Sequence, residues 1–97
     1  MTKTPESKLK ADIKAYLRTL PDTFFHSVPG AAFGKSGVPD IVVCCKGRYV
    51  GIEAKTYEGA FSEWQKTRRA QIEAAGGICI FARSVDDVRA VLGGIAS

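Results

Sequence analysis

Residues 37–55, GVPDIVVCCKGRYVGIEAK, hold two apolar runs joined by Lys46-Gly47, with Asp40 entering the first run and Glu53 and Lys55 closing the second. Glycine accepts positive φ without a steric penalty, so Lys46-Gly47 reads as a two-residue hairpin turn. Such a turn pairs Cys45 with Arg48, Ile41 with Ile52 and, one step further, Asp40 with Glu53. A β-bulge would shift that register. Side chains alternate along a strand, so Asp40, Glu53 and Lys55 converge on one face while Val50, Ile52 and Ala54 point to the other.

Directly opposed β-carbons lie about 4.5–5.5 Å apart. Two carboxylates at such a distance repel by about 3 kcal/mol at an effective dielectric of about 20. A neutral residue at either position would remove that cost, so the pair calls for a compensating charge. Lys55 offsets part of it. A divalent cation offsets more, and carboxylate oxygens suit Mg²⁺ or Mn²⁺. The bland alternative is a surface salt bridge of Glu53 with Lys55, beside an Asp40 that only caps the Val38-Pro39 turn.

The rest of the chain sets elements around this hairpin. Thr4-Pro5 opens a helix, proline being suited to the first helical position. Leu9, Ile13, Tyr16, Leu17 and Leu20 fall within a helical arc of roughly 100°, and Glu6 lies in the same arc. An acid there is unusual, although an acid in a first helical turn is also favoured by the helix dipole. Pro21-Asp22 ends the helix, Thr23 to Val28 reads as a strand, and Pro29 to Pro39 is a loop punctuated by Gly30, Gly34 and Gly37. Ser62-Glu63-Trp64-Gln65 forms a capping box for a second helix that Gly76-Gly77 terminates. Ile78 to Ala82 is a buried strand, and Ser84 caps a last helix expected to end at Gly93-Gly94. The order α-β-β-β-α-β-α implies an α/β fold, a mixed sheet with helices on its faces.

Ninety-seven residues suit one domain, and 45% hydrophobic with 25% charged residues is ordinary for a globular chain. The net charge of +4 favours an anionic partner, the more so if three of the acids are clustered. Cys44, Cys45 and Cys79 lack a C-x-x-C spacing and are expected to be reduced, core or near-core residues, consistent with the cytoplasm (a host cell's if the chain is viral). No apolar run approaches the roughly 20 residues that span a membrane, and the N-terminus lacks the apolar core of a signal peptide.

Pro39-Asp40 followed by Glu53-Ala54-Lys55 resembles the PD-(D/E)XK nuclease signature. The fuller pattern adds an acid on an early helix, a glycine-rich loop into Gly37-Val38-Pro39-Asp40, Ser62-x-x-Gln65 opening the next helix, and Gly76. Together these resemble the virus-type replication-repair nuclease (VRR-NUC) family in its small stand-alone form, over about Glu6 to Leu92. The resemblance implies a restriction-endonuclease-like core and a Mg²⁺- or Mn²⁺-dependent DNA endonuclease, structure-specific for branched DNA such as four-way junctions, in replication, repair or recombination. By the same resemblance, Asp40, Glu53 and the Ala54 carbonyl bind the metal, Lys55 orients or activates the attacking water, Glu6 holds a metal's water or a second metal, and Gln65 completes the site. One position departs: Arg68 stands where the family has an apolar or aromatic residue, on a stripe with Trp64 and Ile72. It is either a snorkelling arginine or a phosphate contact.

Other candidates are weaker. Gly34-Lys35-Ser36 is not a phosphate loop, because Pro29 stands where the first glycine belongs and a strand follows instead of a helix. Lys35 is better read as a DNA phosphate contact or a solvated loop lysine. Lys66, Arg68 and Arg69 form a basic cluster that either is solvated or contacts phosphates without reading sequence. His26 reads as structural or DNA-adjacent, and Phe24, Phe25, Phe33 and Phe61 as core or loop packing. One site per chain implies a homodimer if two symmetric cuts are made. Two competing functions remain open at this stage: a non-catalytic nucleic-acid-binding module, which would tend to lose the acids, and an α/β interaction domain whose acids are salt-bridged.

Overall fold

The computed structural model describes residues 5–28, 39–56 and 60–96. The Thr4 cap, the loop glycines Gly30, Gly34 and Gly37, Phe33 and Lys35 lie outside them. The elements are α1 (Pro5–Leu17), β1 (Thr23–Ser27), β2 (Ile41–Cys45), β3 (Arg48–Ala54), α2 (Glu63–Ala74), β4 (Ile78–Ala82) and α3 (Val85–Ala96), the order expected.

The strands form one sheet in the order β1-β2-β3-β4, antiparallel from β1 to β3 and parallel between β3 and β4. The parallel pair needs a crossover, and α2 supplies it. The turn between β2 and β3 has positive φ at both central residues, 50° at Lys46 and 82° at Gly47, the geometry whose twist matches paired strands. It sets the register from Cys45–Arg48 to Ile41–Ile52 without a bulge.

Alternation then sorts the side chains. Ile41, Val43, Cys45, Val50, Ile52, Ala54, Ile80 and Ala82 are buried in one cluster with Ile13 and Leu17 of α1 and Val88, Leu92 and Ala96 of α3. The opposite face meets α2, where Ile72 approaches Gly51 and Arg69 lies over Phe81.

Three expectations are corrected. The last helix does not end at Gly93-Gly94 but continues to Ala96. Glycine costs about 1 kcal/mol in a helix, and burial of Ala96 and packing of Ile95 on the core outweigh it. Ser84 does cap this helix, accepting from the Asp87 amide at 3.3 Å. Cys44 and Phe24 are not core residues. Both are exposed, Phe24 at 70%, because α2 covers the β3–β4 side of that face and leaves β1 and β2 open. The stripe expected on α2 is not a buried one either. The helix buries no residue fully, and Trp64 is 61% exposed. Among the described residues no helix is long and apolar enough to cross a membrane.

Candidate active site

The site is built at the open end of the β2–β3 hairpin. Pro39 is buried against β3, so close that a β-carbon on Gly51 would lie 2.7 Å from its Cγ and 3.1 Å from its Cβ. Gly51 is therefore the space into which Pro39 packs, and Pro39 in turn sets where Asp40 begins its strand. The Asp40 carbonyl accepts from the Val28 amide at 2.9 Å, and its side-chain Oδ2 accepts from the Ala54 amide at 2.9 Å. The second bond crosses the hairpin and holds the carboxylate beside Glu53. Gly51→Ala is expected to lower stability by about 1–3 kcal/mol, as overpacking does, and to weaken divalent-ion binding by displacing Pro39-Asp40. Urea unfolding and calorimetric titration check the two effects.

Glu53 is the one charged residue buried among those described, at 2% exposure. Its Oε1 accepts from Gln65 Nε2 at 3.2 Å, while Oε2 is buried with no hydrogen-bond partner among the described residues. Burial raises the carboxyl pKa from 4.5 to about 8, helped by the negative charge of Asp40 and by Asp40's capacity to accept the proton. Gln65 and the positive charge of Lys10 oppose the shift. The same burial, with Glu53's charge second, pushes the Cys79 thiol up to about 11, so it stays protonated.

Gln65 reaches Glu53 from the first turn of α2. Its Oε1 accepts from the Ser62 amide at 2.8 Å, and Ser62 Oγ accepts from the Gln65 amide at 3.1 Å, completing the capping box. Glu6 lies on α1 at the edge of the group. It pairs with Lys10 at 3.7 Å, and Lys10 also reaches Asp40 Oδ1 at 3.5 Å. Glu6 and Asp40 are thus joined through a lysine that the sequence reading passed over. Its spacing of four from Glu6 was the available signal.

Lys55 does not pair with Glu53. Its amide extends the parallel ladder by donating to the Ala82 carbonyl, which keeps its side chain in alternation with Glu53, and Nζ donates to the Ala60 carbonyl at 2.8 Å. An ammonium has three N–H donors, so this bond does not exhaust it. The basic residues of α2 diverge. Lys66 is exposed and pairs with Glu63 at 3.1 Å, Arg68 donates to Gln71 at 2.9 Å, and Arg69 pairs with Glu73 at 3.3 Å while lying 4.8 Å over the Phe81 ring. Exposed pairs of this kind are weak and can yield to phosphates.

Two features had no local signal. Phe61 stacks on Phe81 at 4.1 Å, and Arg83 lies 4.9 Å over Phe61 while donating to the Thr56 carbonyl at 2.5 Å. Arg69 and Arg83 thus close a stack of two rings, and Phe81 is the β4 partner of Glu53.

The donor set fits a small divalent cation. Among the described residues no three His, Cys, Asp or Glu side chains gather into a cage. Two carboxylates and a backbone carbonyl do not need one, because Mg²⁺ keeps several coordination positions for water and phosphate. The orphaned Glu53 Oε2 is the atom such an ion would satisfy.

Two solved structures share this fold across nearly the whole chain. One, a VRR_NUC domain protein, superimposes with a TM-score of 0.75 at 19% identity, covering 98% of this chain and 90% of its own. The other, a VRR_NUC domain, gives 0.76 at 18% identity, covering 94% and 97%. No family model matches the sequence, and no curated protein is significantly similar to it. The α/β chain with its four-stranded mixed sheet therefore has the fold of these VRR_NUC domains.

Proposed function

We propose that this chain is a VRR-NUC nuclease, its 97 residues acting as a single domain that hydrolyses DNA phosphodiesters with Mg²⁺ or Mn²⁺. The observation that carries the reading is the buried, unpartnered Oε2 of Glu53 beside Asp40, an arrangement costly to fold without a cation to receive it. Asp40, Glu53 and the carbonyl of Ala54 would hold the ion. When bound, it supplies an acidified water and neutralises charge developing on the phosphate.

The remaining roles belong to the chain. Gln65 orients Glu53 through its amide. Lys55 orients the attacking water and faces the scissile phosphate with its free N–H groups. Glu6 steadies a water at the outer edge of the site. Lys35, Lys66, Arg68 and Arg69 contact flanking phosphates, which gives affinity that falls with salt and does not read sequence. Branched DNA such as a four-way junction is the preferred substrate, a homodimer makes the paired cuts, and the setting is cytoplasmic.

The test is cleavage of matched linear, flap and four-way-junction substrates with Mg²⁺, Mn²⁺ or chelator. Junctions are expected to be cut fastest, and chelator to abolish cutting of all three. Cutting that persists in chelator overturns the proposal, and tight binding without cutting favours a non-catalytic module.

A further inference from the structure

Each carboxylate of the site commits one oxygen to a neutral donor of the protein and turns the other toward the cluster. Asp40 gives Oδ2 to the Ala54 amide, and Glu53 gives Oε1 to Gln65. The two remaining oxygens differ. Glu53 Oε2 has no partner among the described residues, whereas Asp40 Oδ1 faces Lys10 Nζ at 3.5 Å. Lys10 also lies 3.7 Å from Glu6, and its side chain is 34% exposed. Both distances exceed the roughly 2.7–2.9 Å of a strong charge-assisted hydrogen bond. The ammonium is therefore held between two acids by charge and not locked to either, with solvent on one side into which it can withdraw.

We propose that Lys10 is a built-in counter-ion occupying the cation's place at Asp40 Oδ1, and that a divalent ion must displace it, so that Lys10 sets the affinity of the site for metal. The inference rests on the metal-site reading above and deepens it. A cation entering the cluster meets a like charge already neutralising Asp40, and it gains the carboxylate only by sending Nζ away. Glu6, four residues earlier on the same helix, is where the displaced ammonium goes. It keeps the lysine near the site while Asp40 changes partners.

The test is calorimetric titration of Mn²⁺ into the DNA-free full chain, comparing wild type, Lys10→Met, Lys10→Arg and Asp40→Asn. Methionine keeps the length and helix preference without the charge. Lys10→Met is expected to bind Mn²⁺ at least about threefold more tightly than wild type, a change well resolved by titration. Lys10→Arg should stay near wild type and Asp40→Asn should lose binding. Far-UV circular dichroism of each variant checks that the fold is kept, and Lys10→Gln provides a second neutral variant if Met perturbs it. Equal or weaker binding in folded Lys10→Met and Lys10→Gln overturns the inference alone, since wild-type binding would still stand. No Mn²⁺ binding in wild type or in either neutral variant overturns the metal site and the inference together.

Discussion

Lys55→Ala is expected to lower the single-turnover cleavage rate by about 10²–10³-fold, the usual consequence of removing one preorganised charged donor from a transition state. Mn²⁺ affinity should change little, because the lysine is not among the groups that would hold the ion. The variant also loses the bond to the Ala60 carbonyl. A single hydrogen bond contributes about 0.5–1.5 kcal/mol, so a small drop in melting temperature should accompany the loss of rate. Lys55→Arg should not rescue, since a planar fork does not occupy the position of a compact ammonium. Quench-flow kinetics at saturating metal separate the chemical step from binding. Full activity in the alanine variant would remove Lys55 from the mechanism.

The second large effect is on stability and reverses with metal. Glu53 holds its proton to about pH 8 in the folded, metal-free chain, mainly because it is buried, whereas 4.5 is the ordinary value. Between those values the unfolded chain binds fewer protons than the folded one, so stability falls as pH rises. The contribution is complete below about pH 4.5 and lost above about pH 8, at up to about 1.4 kcal/mol per pH unit in between. Glu53→Gln should flatten this slope, because an amide has no proton to lose in this range. Saturating Mn²⁺ should oppose the slope in wild type, since the ion binds the ionised form and stabilises the state that binds it. Urea midpoints from pH 5 to 8.5 measure it. Parallel wild-type and Glu53→Gln profiles would show that Glu53 does not titrate abnormally.

How much of this was legible differs by the kind of contact. The hairpin register was, because it depends on two residues, Lys46 and Gly47, whose positive φ leaves one pairing scheme. The capping box at Ser62 and the Ser84 cap were too, being local. What escaped are choices made by distant parts of the chain. Alternation says that Cys44 and Phe24 share a face, but not that α2 stops short of covering it. Two glycines say that a helix is weak at Gly93-Gly94, but not that Ala96 finds a place in the core beyond them. Glu6 and Asp40 could each be singled out as unusual acids. Their link through Lys10 needs the angle at which α1 crosses the sheet, which no local pattern carries.

Gln65 belongs to two structures at once. One end of its amide satisfies the start of α2 and the other steadies Glu53. Its orientation is therefore determined from both sides: the oxygen must face the Ser62 amide and the nitrogen must face the carboxylate. A glutamate would serve the helix start equally well, as capping boxes commonly use one, but it would set another anion against a buried acid. The choice of amide over acid is thus dictated by the site, and the choice of a residue this long is dictated by the helix. Assembly of the first turn of α2 and orientation of Glu53 become one event, so the second helix cannot loosen at its start without releasing the buried carboxylate.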